Sequence, residues 1–286
     1  ACGKSGLGVE LAKRFDGEVI SADSRQVYKG LDLGTGKVTE AEMEGVPHHM
    51  LDVVEPGQPY SVADFQPAAY AAIDDVRSRG KTPILVGGTG LYVRAVTEGF
   101  QFSDSKPDPA LRQELEGKSN AQLYAILREK TGVTLTGGEE NNRHRLMRSV
   151  EKALSGGWEA PRACPRYDCL LLGVNFPRET VCARIDQRLQ ARIDAGMIDE
   201  VAGLRAAGVS DEFLDRLGLE YRYILWYLTG KIPTLEGLKD ELGRAIKRFA
   251  KRQVVWFKKD KDVLWLDMEG DFLSQAGDAV EKFLSV

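Results

Sequence analysis

Ala1-Cys2-Gly3-Lys4-Ser5-Gly6 is the second half of a phosphate-binding loop of pattern Gly-x-x-x-x-Gly-Lys-Ser/Thr. In that pattern glycines let backbone amides converge on an anion, the lysine supplies a point charge, and the Ser/Thr hydroxyl reaches magnesium. The apolar positions Leu7, Val9, Leu11, Ala12 and Phe15 predict a helix directly behind the loop. Glu18-Val19-Ile20-Ser21-Ala22-Asp23 then reads as the next strand of a βαβ unit. The first glycine of the pattern falls three residues before Ala1. The first strand and the opening of the loop are therefore expected to precede residue 1 and to be needed for activity. A bare Gly-Lys-Ser also occurs in solvated turns, and it is the helix and strand behind it that favour the phosphate loop.

Working outward, the pattern predicts a helix over 62–78 and a strand over 82–86, followed at once by Gly87-Gly88-Thr89-Gly90. Strands that alternate with helices imply a parallel sheet with crossovers, and a glycine turn at a strand's carboxyl end is where open α/β sheets bind ligands. Any βα connection also needs such a turn. From Phe102 the texture changes to Ser103-Asp104-Ser105-Lys106-Pro107-Asp108-Pro109 and then to short polar helices around 111–115 and 121–130. The chain turns helical at 141–154, passes a Gly/Pro/Arg-rich loop over 156–166, and returns to an apolar strand at 169–174. Residues 179–257 read as mostly helical, and 263–266 as a last strand. The expectation is an α/β, P-loop NTPase-like parallel sheet flanked by helices. Residues 1–101 and 141–286 would form the catalytic core, and 102–140 a helical insertion domain.

With 286 residues, 43% of them hydrophobic, the chain can bury a full core. No apolar run approaches the roughly 20 residues of a membrane span, and no signal-peptide pattern is present, so a cytoplasmic, monomeric, membrane-free protein is expected. The four cysteines lack paired C-x-x-C spacing and the three histidines have no companion ligands, which argues against structural zinc and a disulfide framework. The net charge of -4 excludes a uniformly basic nucleic-acid coat but not local patches.

Four places carry chemistry. Asp23, at the end of the strand after the loop, can take a proton from a nucleophile or support magnesium; it can equally cap the turn that follows. Thr89 can offer its hydroxyl to a phosphate or nucleobase, or bond its own turn. Arg244 to Lys259 holds seven basic residues and no acid, with Arg244, Arg248 and Arg252 one helical turn apart. Such a face suits a diphosphate or an RNA backbone, whereas Phe249, Trp256 and Phe257 read equally well as core. On a second basic helix Arg145 and Arg148 share one side and Leu146 and Val150 the buried side, with His144 in the patch.

These segments together resemble the bacterial tRNA dimethylallyltransferase, or tRNA isopentenyltransferase, family over essentially the whole chain. The resemblance is carried by the cut phosphate loop, by Ile20-Ser21-Ala22-Asp23-Ser24-Arg25-Gln26-Val27-Tyr28 continuing to Leu31-Asp32-Leu33-Gly34-Thr35-Gly36-Lys37, and by Pro47-His48-His49-Met50-Leu51-Asp52. Tyr60-Ser61-Val62-Ala63-Asp64-Phe65, Val86-Gly87-Gly88-Thr89-Gly90-Leu91-Tyr92 and Phe249-Ala250-Lys251-Arg252-Gln253-Val254-Val255-Trp256-Phe257 complete it. It implies transfer of a dimethylallyl group from its diphosphate to the exocyclic amine of the adenosine 3′-adjacent to the anticodon in tRNA. By the family's pattern Asp23 is the base and Thr89 contacts substrate. Ala1, Cys2, Gly3, Lys4, Ser5, Arg248 and Arg252 would hold the diphosphate, and Ser5 would hold Mg2+. Asp23, Ser24, Arg25, Gln26, Arg112, His144, Arg145, Leu146, Met147, Arg148, Tyr221 and Arg222 would meet the tRNA anticodon stem-loop. The family usually reads Gly-Tyr-Lys/Arg-Glu where this chain has Glu220-Tyr221-Arg222-Tyr223.

Two rivals stand beside this reading. An adenylate isopentenyltransferase or nucleotide kinase using ATP would share the loop but would not need the insertion or the basic helices. A non-catalytic RNA-binding module would not need Lys4, Ser5 and Asp23.

Overall fold

The computed structural model describes residues 3–102, 108–135, 139–158 and 162–285. It contains two compact units, Ala1–Glu98 with Pro165–Val286 and Gly99–Cys164. The first begins with α1 (Lys4–Arg14), β1 (Gly17–Ser21), α2 (Glu40–Met43), β2 (His48–His49), α3 (Val62–Ser78), β3 (Thr82–Val86) and α4 (Gly90–Thr97). The second holds α5 (Pro109–Glu116), α6 (Asn120–Thr131) and α7 (Arg143–Leu154). The first unit resumes with β4 (Leu172–Asn175), α8 (Arg178–Asp194), α9 (Met197–Ala206), α10 (Asp211–Leu217), α11 (Leu219–Leu228), α12 (Leu235–Phe257), β5 (Leu264–Asp267) and α13 (Phe272–Leu284).

The strands are parallel throughout, as the alternating pattern requires. One sheet has the order β2-β1-β3, with Val19 opposite His48 and Gly17–Ser21 opposite Thr82–Val86; the other pairs β4 with β5. β1 is buried at all five positions. Such a strand is apolar except where a charge is fully paired, and Glu18 is that exception. Only 2% exposed, its carboxylate accepts both terminal nitrogens of Arg79 and lies 2.7 Å from His49 Nε2. The Arg79 guanidinium first, and His49 after it, hold the Glu18 carboxyl at about 2, below its ordinary 4.5, against the opposing cost of burial. Because the folded value is the lower one, the stabilisation is present above about pH 4.5 and is lost as pH falls towards 2. The shift corresponds to at most about 3 kcal/mol, reduced by screening because the Arg79 side chain is 40% exposed. Glu18→Gln should therefore lower stability at pH 7 and flatten its decline between pH 5 and 2, which urea titrations across that range would show. A parallel decline in the variant and the parent would contradict it.

Around the sheets lie a cluster built mainly by α8 to α12, centred on Leu214, Tyr221, Ile224, Leu238 and Leu242 and joined by Val27, Tyr28, Leu31 and Val54 from the chain after β1, and a smaller one where Phe65 stacks on Tyr92. β3 and the chain around β4 both line a cavity of about 540 Å³, lined also by Leu7 and Leu11 of α1 and by Phe15 just after it. Its walls are mostly apolar, which suits no diphosphate; Lys4, Gly88 and Gln253 form one end.

In the second unit Leu115, Leu123, Leu127, Leu146, Met147 and Val150 bury a core of their own. This moves a boundary. Residues 141–164, assigned to the core from sequence, belong to the helical unit because α7 contributes half of that apolar cluster. β4 begins three residues later than the strand read at 169–174, with, among the described residues, only the Leu171 carbonyl ahead of it accepting a bond from β5, at 2.9 Å from the Leu264 amide. α13, absent from the sequence reading, is capped by Asp271 and packs Ala276 against α1.

Candidate active site

Three chain segments converge at the carboxyl ends of β1 and β3. α1 starts immediately at Lys4, after Gly3 with φ 76°, a left-handed conformation natural to glycine. Among the described residues no side chain caps this helix and no acid lies in its first turn, so the amides of its first turn point outward at the positive end of the helix dipole. Ser5 is exposed there. Ala1 and Cys2 lie outside the described residues.

The second segment is the turn Asp23–Gln26. Asp23 Oδ1 accepts the Arg25 amide at 2.9 Å, so one carboxylate oxygen caps the turn while no described residue donates to the other. Of the two sequence readings of this residue the turn cap is the one observed, and the same bond orients the carboxylate. Gln26 is fixed at both ends, accepting Ser21 Oγ at 3.0 Å and donating to the Gly36 carbonyl at 3.3 Å. Arg25 packs beside Gly218, and burial holds its guanidinium below the ordinary arginine range, with the Asp23 charge opposing.

The third is the glycine turn. Thr89 Oγ1 accepts the Ser24 amide at 3.1 Å, and the Thr89 amide reaches the Ala22 carbonyl at 3.4 Å. A Cβ on Gly87 would fall 2.1 Å from the Ala22 carbonyl oxygen, and one on Gly88 would fall 2.6 Å from Gln253 Nε2 and 3.7 Å from Lys4 Cε. Gln253 donates to the Gly88 carbonyl at 2.7 Å, tying α12 to this turn. Lys4, Asp23 and Thr89 are thus brought to one place by strand pairing and by two glycines that leave no room for a side chain.

Other sequence candidates fall differently. Arg248 and Arg252 are exposed on α12, Arg252 over the ring of Phe249. Tyr221 is 1% exposed, its hydroxyl donating to Glu200, so a direct RNA contact from this side chain is ruled out; burial and the neighbouring Glu200 charge raise its pKa. Arg222 donates to the Asp215 carbonyl at 2.7 Å. In the second unit His144 and Arg145 are exposed, while Leu146 and Met147 are core and not surface. Arg112 is committed to the buried Glu151 at 2.6 and 3.1 Å, and Arg148 reaches the same carboxylate at 3.1 Å. Sequence reasoning gave no role to Gln253, although the Ala-Lys-Arg-Gln block contains it, nor to Glu200.

Among the described residues no cluster of three His, Cys, Asp or Glu could hold a metal alone. An exposed serine hydroxyl at a helix start with a carboxylate on the adjoining strand end fits a magnesium ion that takes its remaining ligands from water and substrate phosphates.

A helix N-terminus with a lysine, an oriented carboxylate and a glycine turn, gathered at the carboxyl ends of parallel strands, define a protein of the α/β class with its candidate site where open α/β sheets bind ligands. The family model for IPP transferase matches residues 26–260, and the chain belongs to that family. It is 43% identical over 282 residues to tRNA dimethylallyltransferase 2 of Shewanella sediminis, covering 96% of this chain and 93% of that protein. The crystal structure of a full-length tRNA isopentenylpyrophosphate transferase from Bacillus halodurans superposes with a TM-score of 0.74 at 35% identity, covering all of this chain and 92% of that one. A eukaryotic dimethylallyltransferase acting on tRNA superposes at 0.80 with 26% identity, covering 77% of that chain.

Proposed function

We propose that this protein transfers a dimethylallyl group from dimethylallyl diphosphate to the exocyclic amine of the adenosine 3′-adjacent to the anticodon in tRNA, releasing diphosphate. The observation that carries this is the placement of the Asp23 carboxylate, through Ser24 and Ala22, against the glycine turn that abuts Lys4. The amine is a poor nucleophile because its lone pair is delocalised into the ring. As its nitrogen bonds to the allylic carbon and the carbon–oxygen bond breaks, its proton passes to Asp23. Charge builds on the departing diphosphate, where Lys4, the free amides of α1, Arg248 and Arg252 stabilise it. Thr89, whose Oγ1 accepts the Ser24 amide beside Asp23, is the substrate-contacting hydroxyl of this reading. Magnesium held at Ser5 would add a positive charge on the diphosphate oxygens. Adenine must leave its stack to reach this turn, and Ser24, Arg25 and Gln26 flank it there.

The exposed His144 and Arg145 of α7 suit the RNA backbone of the anticodon stem-loop, and no described helix is long and apolar enough to cross a membrane. A monomer working in the cytoplasm is part of the proposal. The test is label transfer from radiolabelled dimethylallyl diphosphate, with magnesium, to an anticodon stem-loop RNA or to AMP. Label in the stem-loop supports the proposal; label in AMP alone, or in neither, overturns it.

The two exposed arginines of α12 separate donor from acceptor binding. Arg248→Gln with Arg252→Gln should raise the donor KM about a hundredfold or more, each lost charge-assisted bond contributing about 1.5–3 kcal/mol. The stem-loop KM should stay within about twofold. A rise confined to the stem-loop KM, with a shallower salt dependence, would reassign this face to RNA.

A further inference from the structure

The loop Leu31–Lys37 has no part in the proposed chemistry, yet side chains from two helices bond its backbone at five points. Glu200, in the first turn of α9, accepts the amides of Asp32 and Leu33 on Oε2 at 2.9 and 2.7 Å and that of Gly34 on Oε1 at 2.9 Å. Oε1 also accepts the Tyr221 hydroxyl at 2.8 Å. Arg192 of α8 grips the same loop from its acceptor side, donating from Nε to the Leu33 carbonyl and from Nη2 to the Gly34 carbonyl. It is steadied by Glu220 at 3.4 Å, which gives the unusual acid at that position a function. One carboxylate thus satisfies three successive amides and one guanidinium two successive carbonyls, leaving the loop little freedom to shift. Gly34 fits only because it lacks a side chain: a Cβ there would fall 2.3 Å from the Tyr221 ring. Lys37, its side chain 6% exposed, closes the loop by donating to the Tyr28 carbonyl and pairing with Asp32 and Asp52.

What this strap holds in place is the Gly36 carbonyl. It accepts Arg188 Nη2 at 3.1 Å and the Gln26 side-chain amide at 3.3 Å, and Gln26 in turn bonds Ser21 at the end of β1. Gln26 belongs to the turn whose first residue is Asp23. We infer that Glu200 and Arg192 are positioning residues, which orient the Asp23 turn through the Leu31–Lys37 loop and Gln26 without touching substrate.

This inference rests on the prenyl-transfer reading for its kinetic arm. A shift of about 1 Å at a reacting group can cost a hundredfold, so Glu200→Gln, which removes the charge and replaces one acceptor oxygen with a donor, should lower kcat about ten- to hundredfold. The KM for dimethylallyl diphosphate should stay within about twofold. In a Gln26→Ala background the same substitution should cost no more than about twofold further, because the link it acts through is gone. Arg192→Lys, which keeps the charge but loses the two-carbonyl grip, should reproduce the kcat loss and serves where Glu200→Gln melts too low to assay. Independently of activity, amide hydrogen exchange of residues 32–36 should quicken at least tenfold in Glu200→Gln. Unchanged exchange, an unchanged kcat in both variants, or kcat losses that simply multiply with that of Gln26→Ala would overturn the inference. Failure of the parent enzyme to label the stem-loop would instead strike the prenyl-transfer reading and leave the exchange arm standing.

Discussion

Asp23→Asn is expected to lower kcat by about a hundred- to ten-thousand-fold while the fold and both substrate affinities survive, the usual worth of a positioned general base. The argument turns on what asparagine preserves. Its Oδ1 can still accept the Arg25 amide, so the Asx turn persists, and Ser24 still donates to Thr89. The second oxygen becomes an amide nitrogen that cannot take a proton from the adenine amine. Single-turnover labelling of a stem-loop RNA, with a thermal melt alongside, measures both halves of the claim. A kcat within tenfold of the parent would mean that the proton leaves by another route, after the carbon–nitrogen bond has formed. A collapsed melt would mean that the carboxylate is needed to build the turn.

Much of this arrangement was legible in the chain, and the part that was not shares a physical cause. The bounds of α3 and β3 could be read to the residue because apolar spacing changes from helical to extended across Gly80, with the glycine turn as a hard stop. The places of Lys4, Ser5 and Asp23 in the fold, at a helix start and just past a strand end, are legible because a loop, a helix and a strand in sequence order fix where a βαβ unit puts its loops. Tyr221 is placed at the RNA by the family resemblance, and spacing offers no correction, because α11 runs Leu219-Glu220-Tyr221-Arg222-Tyr223-Ile224-Leu225 with bulky side chains on every side and names no inner face. Leu146 and Met147 enter the expected contact stretch through the family resemblance, although helical spacing already sets Leu146 on the buried side. Gln253 and Glu200 were invisible for another reason: their bonds reach Gly88 and Leu33 across 165 and 167 residues, and no local pattern encodes such a pairing.

Gly87→Ala is the second large effect, and it tests the packing on which the site depends. The φ of Gly87 is one that alanine can adopt; the space is what is missing. The added methyl would sit 2.1 Å from the Ala22 carbonyl oxygen and 2.7 Å from the Ala22 Cβ, where the first of these is backbone and cannot swing aside. Either the ends of β1 and β3 part, breaking the 2.8 Å bond from the Ala22 amide to the Val86 carbonyl, or the glycine turn moves off. Overpacking of this kind costs about 3 kcal/mol or more, which in a chain of this size lowers the melting temperature by roughly 6–12 °C. Ala22 precedes Asp23, and Thr89 follows the displaced turn, so the carboxylate and Lys4 lose register and kcat should fall at least a hundredfold at temperatures where the variant is folded. Gly203→Ala is the matched control: in the exposed interior of α9, with nothing near the added methyl, it should raise stability by about 0.5–1 kcal/mol and leave kcat alone. If Gly87→Ala melted and turned over like the parent, the two strand ends could not be packed as closely as the shared site requires, and the joint placement of Lys4, Asp23 and Thr89 would have to be given up.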